Sequence, residues 1–373
     1  MNARTWHAAV LVALLAPWST HALGAQERPD SIPGAPFPYA IPEAVGVRST
    51  DVESLARDVR DWVEREQIVG GELLIVKNRH IIFHDVWGWS DREREIPLER
   101  NSIYRIRSMT KPFVGTAVLM LVEQGLLELD DRVADILPSF DNERSGAITV
   151  RQLLTHNTGY PQGAFPDDYW EAGDLRTAVD LIGAMGPPNP PGSGYRYSDL
   201  NSATLGAIVV ELTGMLAEEY LASHIFEPLD LHDTHTYFAP SVSWASRMNS
   251  TYQRQGNGWR KYWENTREQT TPFFRASGGI YTTVFDYAKW LAVFMDRGVY
   301  DGGRLLAEAT VLEALTPQES EHYGYHWEVF EEASRSGDLP AFGHRGSDGT
   351  MAMAIPRHDL MVLYFTQSRG QQT

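Results

Sequence analysis

The sequence predicts an α+β fold: one antiparallel sheet formed from both chain ends, with helices on its faces and a mainly helical inserted lobe. Three observations point to it. Two strand-like runs, residues 72–77 and 81–87, lie near the N-terminus. Three more, 342–346, 351–355 and 360–365, lie near the C-terminus and are joined by tight turns. Between them the apolar spacing is mostly helical.

The first 25 residues form a separate unit. Arg4 is a short basic start, residues 8–18 are apolar, and residues 19–25 are small and polar. That layout predicts a secretory signal peptide cut after Gly24 or Ala25, and so an exported, periplasmic or secreted protein. Losing one Arg and no acid would change the net charge from −17 to −18. Residues 26–42 are Pro-rich and read as an extended leader. No run of 18 or more apolar residues follows, so no membrane span is expected.

The folded part begins at about residue 43. A first helix is expected from Thr50, with Thr50 and Glu53 as a capping box and Val52, Leu55, Val59, Trp62 and Val63 on one stripe. Gly70 and Gly71 should break it. The two strands that follow are joined by a polar turn at residues 78–80, a hairpin signal. A helix then starts near Ser108 and stops at Gly125; it is apolar on every face, which places it in the interior. Helices are expected at 150–154, 175–185, 200–213 and 215–226, a short β-rich run at 278–283, and a helix at 286–295. Residues 43–107 and about 270–373 would form the sheet lobe, and about 108–269 the helical lobe. No internal repeat or low-complexity tract is visible.

Composition narrows the chemistry. With 49 acidic and 32 basic side chains, the charge argues against nucleic acid and anionic membranes as partners. With no Cys, thiol nucleophiles, thiolate metal sites and disulfides are excluded. No cofactor motif is read. His232 and His235 are three apart, but no H-E-x-x-H or second cluster joins them, so no metal site is expected. An α/β-hydrolase would need G-x-S-x-G, and Gly88-Trp89-Ser90-Asp91-Arg92 is the nearest approach.

Three elements carry catalytic potential. Ser108-Met109-Thr110-Lys111 is an S-x-x-K sequence at the start of the interior helix. Residues i and i+3 share a helix face, so the Lys111 amine can reach the Ser108 hydroxyl. Of the 32 cations 28 are Arg, which cannot release a proton, whereas a buried Lys can act as a base. Taken alone, the match reads more readily as a capped helix with a solvated Lys. The second element is Gly194-Tyr195-Arg196-Tyr197-Ser198-Asp199, at a helix entrance. Tyr197 there could relay protons if a nearby Lys⁺ lowers its pKa, or could merely pack beside a Ser198 or Asp199 cap. The third is Gly343-His344-Arg345-Gly346-Ser347, on a predicted strand. Strand alternation puts His344 and Gly346 on one face and Arg345 on the other, and Gly346 would let a substrate lie close. The Ser347 and Ser108 N–H groups could form an oxyanion hole.

Together the three elements resemble the serine β-lactamase and penicillin-binding protein superfamily. The class C β-lactamase-like group, with its D-alanyl-D-alanine carboxypeptidases and β-lactamase-like esterases, is the most similar. That family's pattern is S-x-x-K, then Y-x-N, then K-T-G or H-x-G. Residues 153–159 (Leu-Leu-Thr-His-Asn-Thr-Gly), 226–229 and 277–279 (Ser-Gly-Gly) are also similar. The resemblance covers roughly residues 42–367 and implies a β-lactamase/transpeptidase-like fold.

It implies that Ser108 is the nucleophile of an acyl-enzyme, that Lys111 and Tyr197 share base and acid work, and that Ser108 and Ser347 supply the oxyanion hole. Asp199, His344 and Gly346 would bind substrate. The substrate would be a small ester, amide or peptide, and no cofactor is implied. Three departures stand out. Asp199 replaces the usual Asn and could add negative charge. His344 is not a permanent cation, which favours neutral esters over β-lactams. The sequence ends at Thr373, where the family usually adds a helix, so one sheet face is expected to be less covered. Residues 163–173, with Phe165, Tyr169 and Trp170, could line the pocket, and Arg335 could supply charge. The acyl donor stays open between an ester, a D-peptide and a β-lactam, as does a catalytically silent binder of peptide or cell-wall fragments.

Overall fold

The computed structural model describes residues 32, 34–269, 271–331 and 337–370; the signal peptide, leader residues 26–31 and 33, and Arg335 lie outside them. The first helix, α1 (Ser49–Glu64), buries Val52, Leu55 and Val59 of the predicted stripe together with Ala56, while Trp62 and Val63 are half-buried. Its start differs from the expected capping box. Arg48 is the N-cap, Thr50 lies inside the helix, and Glu43 Oε1 accepts the Ser49 N–H at 2.8 Å. A carboxylate from the preceding turn does the capping, so the local Thr50–Glu53 pattern is not used.

Gly70 and Gly71 do not end this helix; they open strand β1 (Gly70–Lys77). A Cβ on Gly70 would lie 2.7 Å from Trp89 O on the neighbouring strand, so here the missing side chain permits close strand approach. β1 turns into β2 (His80–Asp91) through Asn78 and Arg79, both at positive φ, as a two-residue hairpin requires. The short strands β3 (Ile96–Pro97) and β4 (Tyr104–Arg105) follow.

A 3-10 turn, Arg107–Thr110, leads into α2 (Lys111–Glu123). This helix is buried on nearly all sides, and Phe113 stacks on Trp290 with ring centroids 4.2 Å apart. The helices α3 (Val150–Leu154), α4 (Leu175–Met185), α5 (Asp199–Thr213) and α6 (Ala217–Leu221) match the sequence reading closely, with a π turn at Ala222–Phe226 continuing α6. A hairpin, Thr251–Gln255 with Gly258–Trp263, lies in the stretch expected to be mainly helical. It joins Ser368–Arg369 in a separate three-stranded sheet. The chain then forms β5 (Tyr281–Thr282), α7 (Val284–Met295), β6 (Glu328–Glu331), β7 (Ala341–Arg345), β8 (Met351–Ile355) and β9 (Leu360–Thr366).

The main sheet has the order β6-β7-β8-β9-β1-β2-β3, antiparallel throughout. β1 pairs with β9, Leu74 facing Leu363, so the two chain ends meet at its centre. Alternation sorts their side chains into two cores. Leu73, Ile75, Val362 and Tyr364 pack with α1, while Leu74, Val76, Met361 and Leu363 pack with α2 and α7. The sheet face expected to be less covered has Met353 and Val362 fully buried. No single helix among the described residues is long and apolar enough to cross a membrane.

Candidate active site

Ser108 sits in the 3-10 turn just ahead of α2, with Arg107 before it at a φ of 51°. A non-glycine residue rarely holds that conformation without support. Here Arg107 Nε donates to Asp348 Oδ2 at 2.6 Å and Nη2 to the Tyr262 hydroxyl at 2.9 Å. Asp348 follows Ser347 in the turn after β7, so this contact ties the third motif to the first. Gly346 adds to that closeness: a Cβ there would lie 2.4 Å from Ile106 O and 2.2 Å from Thr350 Oγ1. The glycine is thus required by the protein's own backbone, a demand separate from the close substrate approach expected of it.

Lys111 is fully buried on the first turn of α2. Its Nζ donates to Ser108 Oγ at 3.3 Å, to Ser277 O at 3.1 Å and to Asp199 Oδ1 at 2.6 Å. Burial lowers its pKa more than Asp199 raises it, with the Arg275 charge acting in the same direction as burial. Lys111 therefore gives up a proton more readily than a solvated lysine. Ser108 is only half-buried and open to an incoming reactant.

Ser198 is the N-cap of α5; its Oγ accepts the Leu200 N–H at 3.3 Å and donates to Pro161 O at 3.2 Å. Tyr197 precedes the cap with the Ser108 side chain near enough to act on its phenol, and the Lys111 ammonium lies 4.6 Å from its ring centre. The expected lowering of its pKa is reversed. Burial pushes the phenol well above its ordinary value, and the Ser108 side chain offsets only part of this. At neutral pH Tyr197 is a phenol, able to donate a proton and to pass one on.

Asp199 does not stand as an uncompensated charge. Its Oδ2 accepts Arg275 Nη2 at 2.9 Å while Oδ1 holds Lys111. Burial works to raise this carboxyl, yet the two cations outweigh it and keep the group ionised. Arg275 was missed in the sequence, although it lies two residues before the Ser277-Gly278-Gly279 stretch noted there.

His344 points inward and is almost fully buried. Its Nδ1 donates to Arg345 O at 2.8 Å, so Nε2 accepts the Tyr323 hydroxyl at 3.1 Å. Burial and the Lys111 charge hold its pKa well below the ordinary value, so the ring is neutral. Two more imidazoles stack nearby, His156 on His326 at 4.8 Å, both kept neutral by burial first and neighbouring cations second. Tyr323 and His326 carried no motif signal. His156 lay in the 153–159 stretch, with no role assigned. Arg345 turns outward to Glu328, as alternation predicted.

Of the proposed lining residues 163–173, Tyr169 is buried in the core, whereas Trp170 borders a cavity with Arg275. His235 stacks on Trp244 at 4.2 Å, and His232 is exposed beside Asp230.

The fold agrees with the comparison to known proteins. Residues 55–373 match the protein family described as Beta-lactamase. The chain belongs to that family. Among curated relatives, "Protein flp" of Staphylococcus aureus is 29% identical over 200 residues, covering 52% of this chain and 40% of the relative. The chain thus spans less than half that relative's length. Similar solved structures include "EstCE1, a hydrolase with promiscuous acyltransferase activity", with a TM-score of 0.72 at 19% identity, covering 86% of this chain and 94% of that one. Another is an octameric penicillin-binding protein homologue from Pyrococcus abyssi, with a TM-score of 0.71 at 23% identity, covering 86% and 74%. At these identities they show the shared β-lactamase-like fold.

Proposed function

We propose that the protein is an exported serine hydrolase that cleaves a small ester or amide through an acyl-enzyme at Ser108. The observation that carries this reading is the convergence on Ser108 Oγ of a fully buried Lys111 amine at 3.3 Å and the Tyr197 phenol. A purely structural serine does not call for a desolvated lysine held by an Asp199 that also pairs with Arg275.

In its neutral form, Lys111 Nζ takes the Ser108 proton as Oγ bonds to the substrate carbonyl carbon. The Ser108 and Ser347 N–H groups receive the negative charge on the carbonyl oxygen. Tyr197 then donates its proton to the leaving oxygen or nitrogen as that bond breaks, and recovers one from Lys111. This leaves an acyl-Ser108 ester and a protonated leaving group. Water repeats the sequence in deacylation. The protons balance without a cofactor.

His344 borders the leaving side through its contact with Tyr197, and it is neutral. A β-lactam carboxylate would find no fixed cation at that position, which favours the esterase-like reading.

Labelling with a fluorophosphonate tests the proposal. Wild type should be modified at Ser108, and Ser108→Ala should lose both labelling and turnover by several powers of ten. Ser108→Ala activity above roughly a tenth of wild type would remove Ser108 as the nucleophile.

A further inference from the structure

Next to Ser108 lies a cavity of about 250 Å³ whose wall contains three guanidinium groups, Arg105, Arg107 and Arg275. No Asp or Glu is among its lining residues, in a chain whose net charge is −17. The three cations differ in how they are matched. Arg107 has Asp348 at 2.6 Å. Arg275 shares Asp199 with Lys111, so one carboxylate serves two cations. Arg105 has no ion pair among the described residues, and its Nη1 is shut off from solvent without a hydrogen bond. Its guanidinium lies 4.5 Å from the Trp263 ring centre, which fixes the plane of the fork.

Arg105 thus lines the cavity with no carboxylate partner among the described residues, and an anion entering it gains a charge-assisted hydrogen bond from the solvent-facing part of the fork. The planar fork fits a carboxylate in bidentate fashion. Trp170 and Trp263 give the same cavity apolar walls suited to a short methylene chain. At roughly 30 Å³ per water, the volume admits about eight water-sized groups, enough for a short acyl chain and its terminal carboxylate.

The location assigns the anion to one part of the substrate. Arg107, which directly precedes Ser108, and Gly278 both line the cavity, so it adjoins the turn that carries the nucleophile. Its wall contains none of Tyr197, Tyr323 and His344, which flank the leaving side.

We infer that this cavity receives a carboxylate carried on the acyl part of the substrate, with Arg105 as its anchor, so that the preferred substrates are half-esters or half-amides of short dicarboxylic acids. The inference rests on the acyl-enzyme reading above and names its substrate class. It is compatible with poor β-lactam turnover, because the carboxylate of a β-lactam lies in its leaving part.

The test compares the mono-4-nitrophenyl ester of glutaric acid with its neutral methyl 4-nitrophenyl diester, after subtraction of uncatalysed rates. Wild type should show a kcat/KM for the half-ester at least about tenfold higher, mostly through KM, as one charge-assisted pair provides. Free glutarate should compete with the neutral ester. Arg105→Gln should bring the ratio of the two substrates close to one, and Arg105→Lys should restore part of it. Equal rates in wild type, or a parallel fall for both substrates in Arg105→Gln, would overturn the inference. Should Arg105→Gln fail to fold, glutarate competition in wild type decides, and no inhibition at about 10 mM counts against the site. Ser108-dependent hydrolysis without half-ester preference defeats only this inference. Turnover that survives Ser108→Ala defeats the underlying mechanism instead.

Discussion

Asp199 links the two charges that govern the nucleophile. Its carboxylate raises the Lys111 pKa against the lowering by burial, so it keeps the lysine protonated to higher pH than burial alone would. Removing the carboxylate leaves burial and Arg275 acting together, both downward. Asp199→Asn should therefore move the acidic limb of the kcat/KM–pH profile to lower pH, since a lysine base becomes neutral sooner as pH rises. A limb that moves upward or stays fixed would argue that another group sets it. Tyr197 and Ser198 are adjacent but should separate cleanly. Tyr197→Phe removes the proton donor beside Ser108 and should lower turnover by roughly two to four powers of ten. Ser198→Ala removes an N-cap and should cost about 1 kcal/mol of stability with little change in kcat. Thermal denaturation and steady-state kinetics on both variants separate the two roles, and a reversed pattern would move the relay to Ser198.

At the scale of elements, the site is a junction between the turn that starts α2, the entrance to α5 and the turn after β7. Each was visible separately as a motif: S-x-x-K, the Tyr197 loop and the His344–Ser347 strand end. Their mutual placement depends on backbone contacts with no local signature, such as Gly346 against Ile106 O. Gly346→Ala should thus act on both sides of the junction. The added methyl has backbone at 2.4 Å and a hydroxyl at 2.2 Å, so about 1–3 kcal/mol of stability should be lost. The Ser108 turn should shift with it, and turnover should fall at least about tenfold. A variant with wild-type melting temperature and rate would show that the junction yields easily. The start of α1 illustrates the opposite error. Thr50 and Glu53 had the right residue types for a local cap, but Glu43 reached the helix end first.

At the scale of the whole molecule, export is the expectation that bears on where substrates are met. Expression in a bacterial host should yield a mature protein beginning at Ala25 or Gln26, read by N-terminal sequencing of the processed form; an uncleaved Met1 or Asn2 would contradict it. The sequence by itself determined the sheet from both chain ends, most helix limits, the interior character of α2 and the S-x-x-K spacing that sets Lys111 beside Ser108. These follow from local periodicity, capping and short-range spacing, which are written in consecutive residues. Only the tertiary structure decided the charge state of the site. Arg275 lies 76 positions from Asp199, and Tyr323 and His326 approach Tyr197 and His156 from another part of the chain. A sequence predicts which groups can ionise, but their pKa values depend on burial and on charges brought within a few ångströms by the fold. That is why the expected low pKa of Tyr197 became a high one, why Asp199 proved to be doubly paired, and why the unmatched guanidinium of Arg105 came to light only when its cavity had walls.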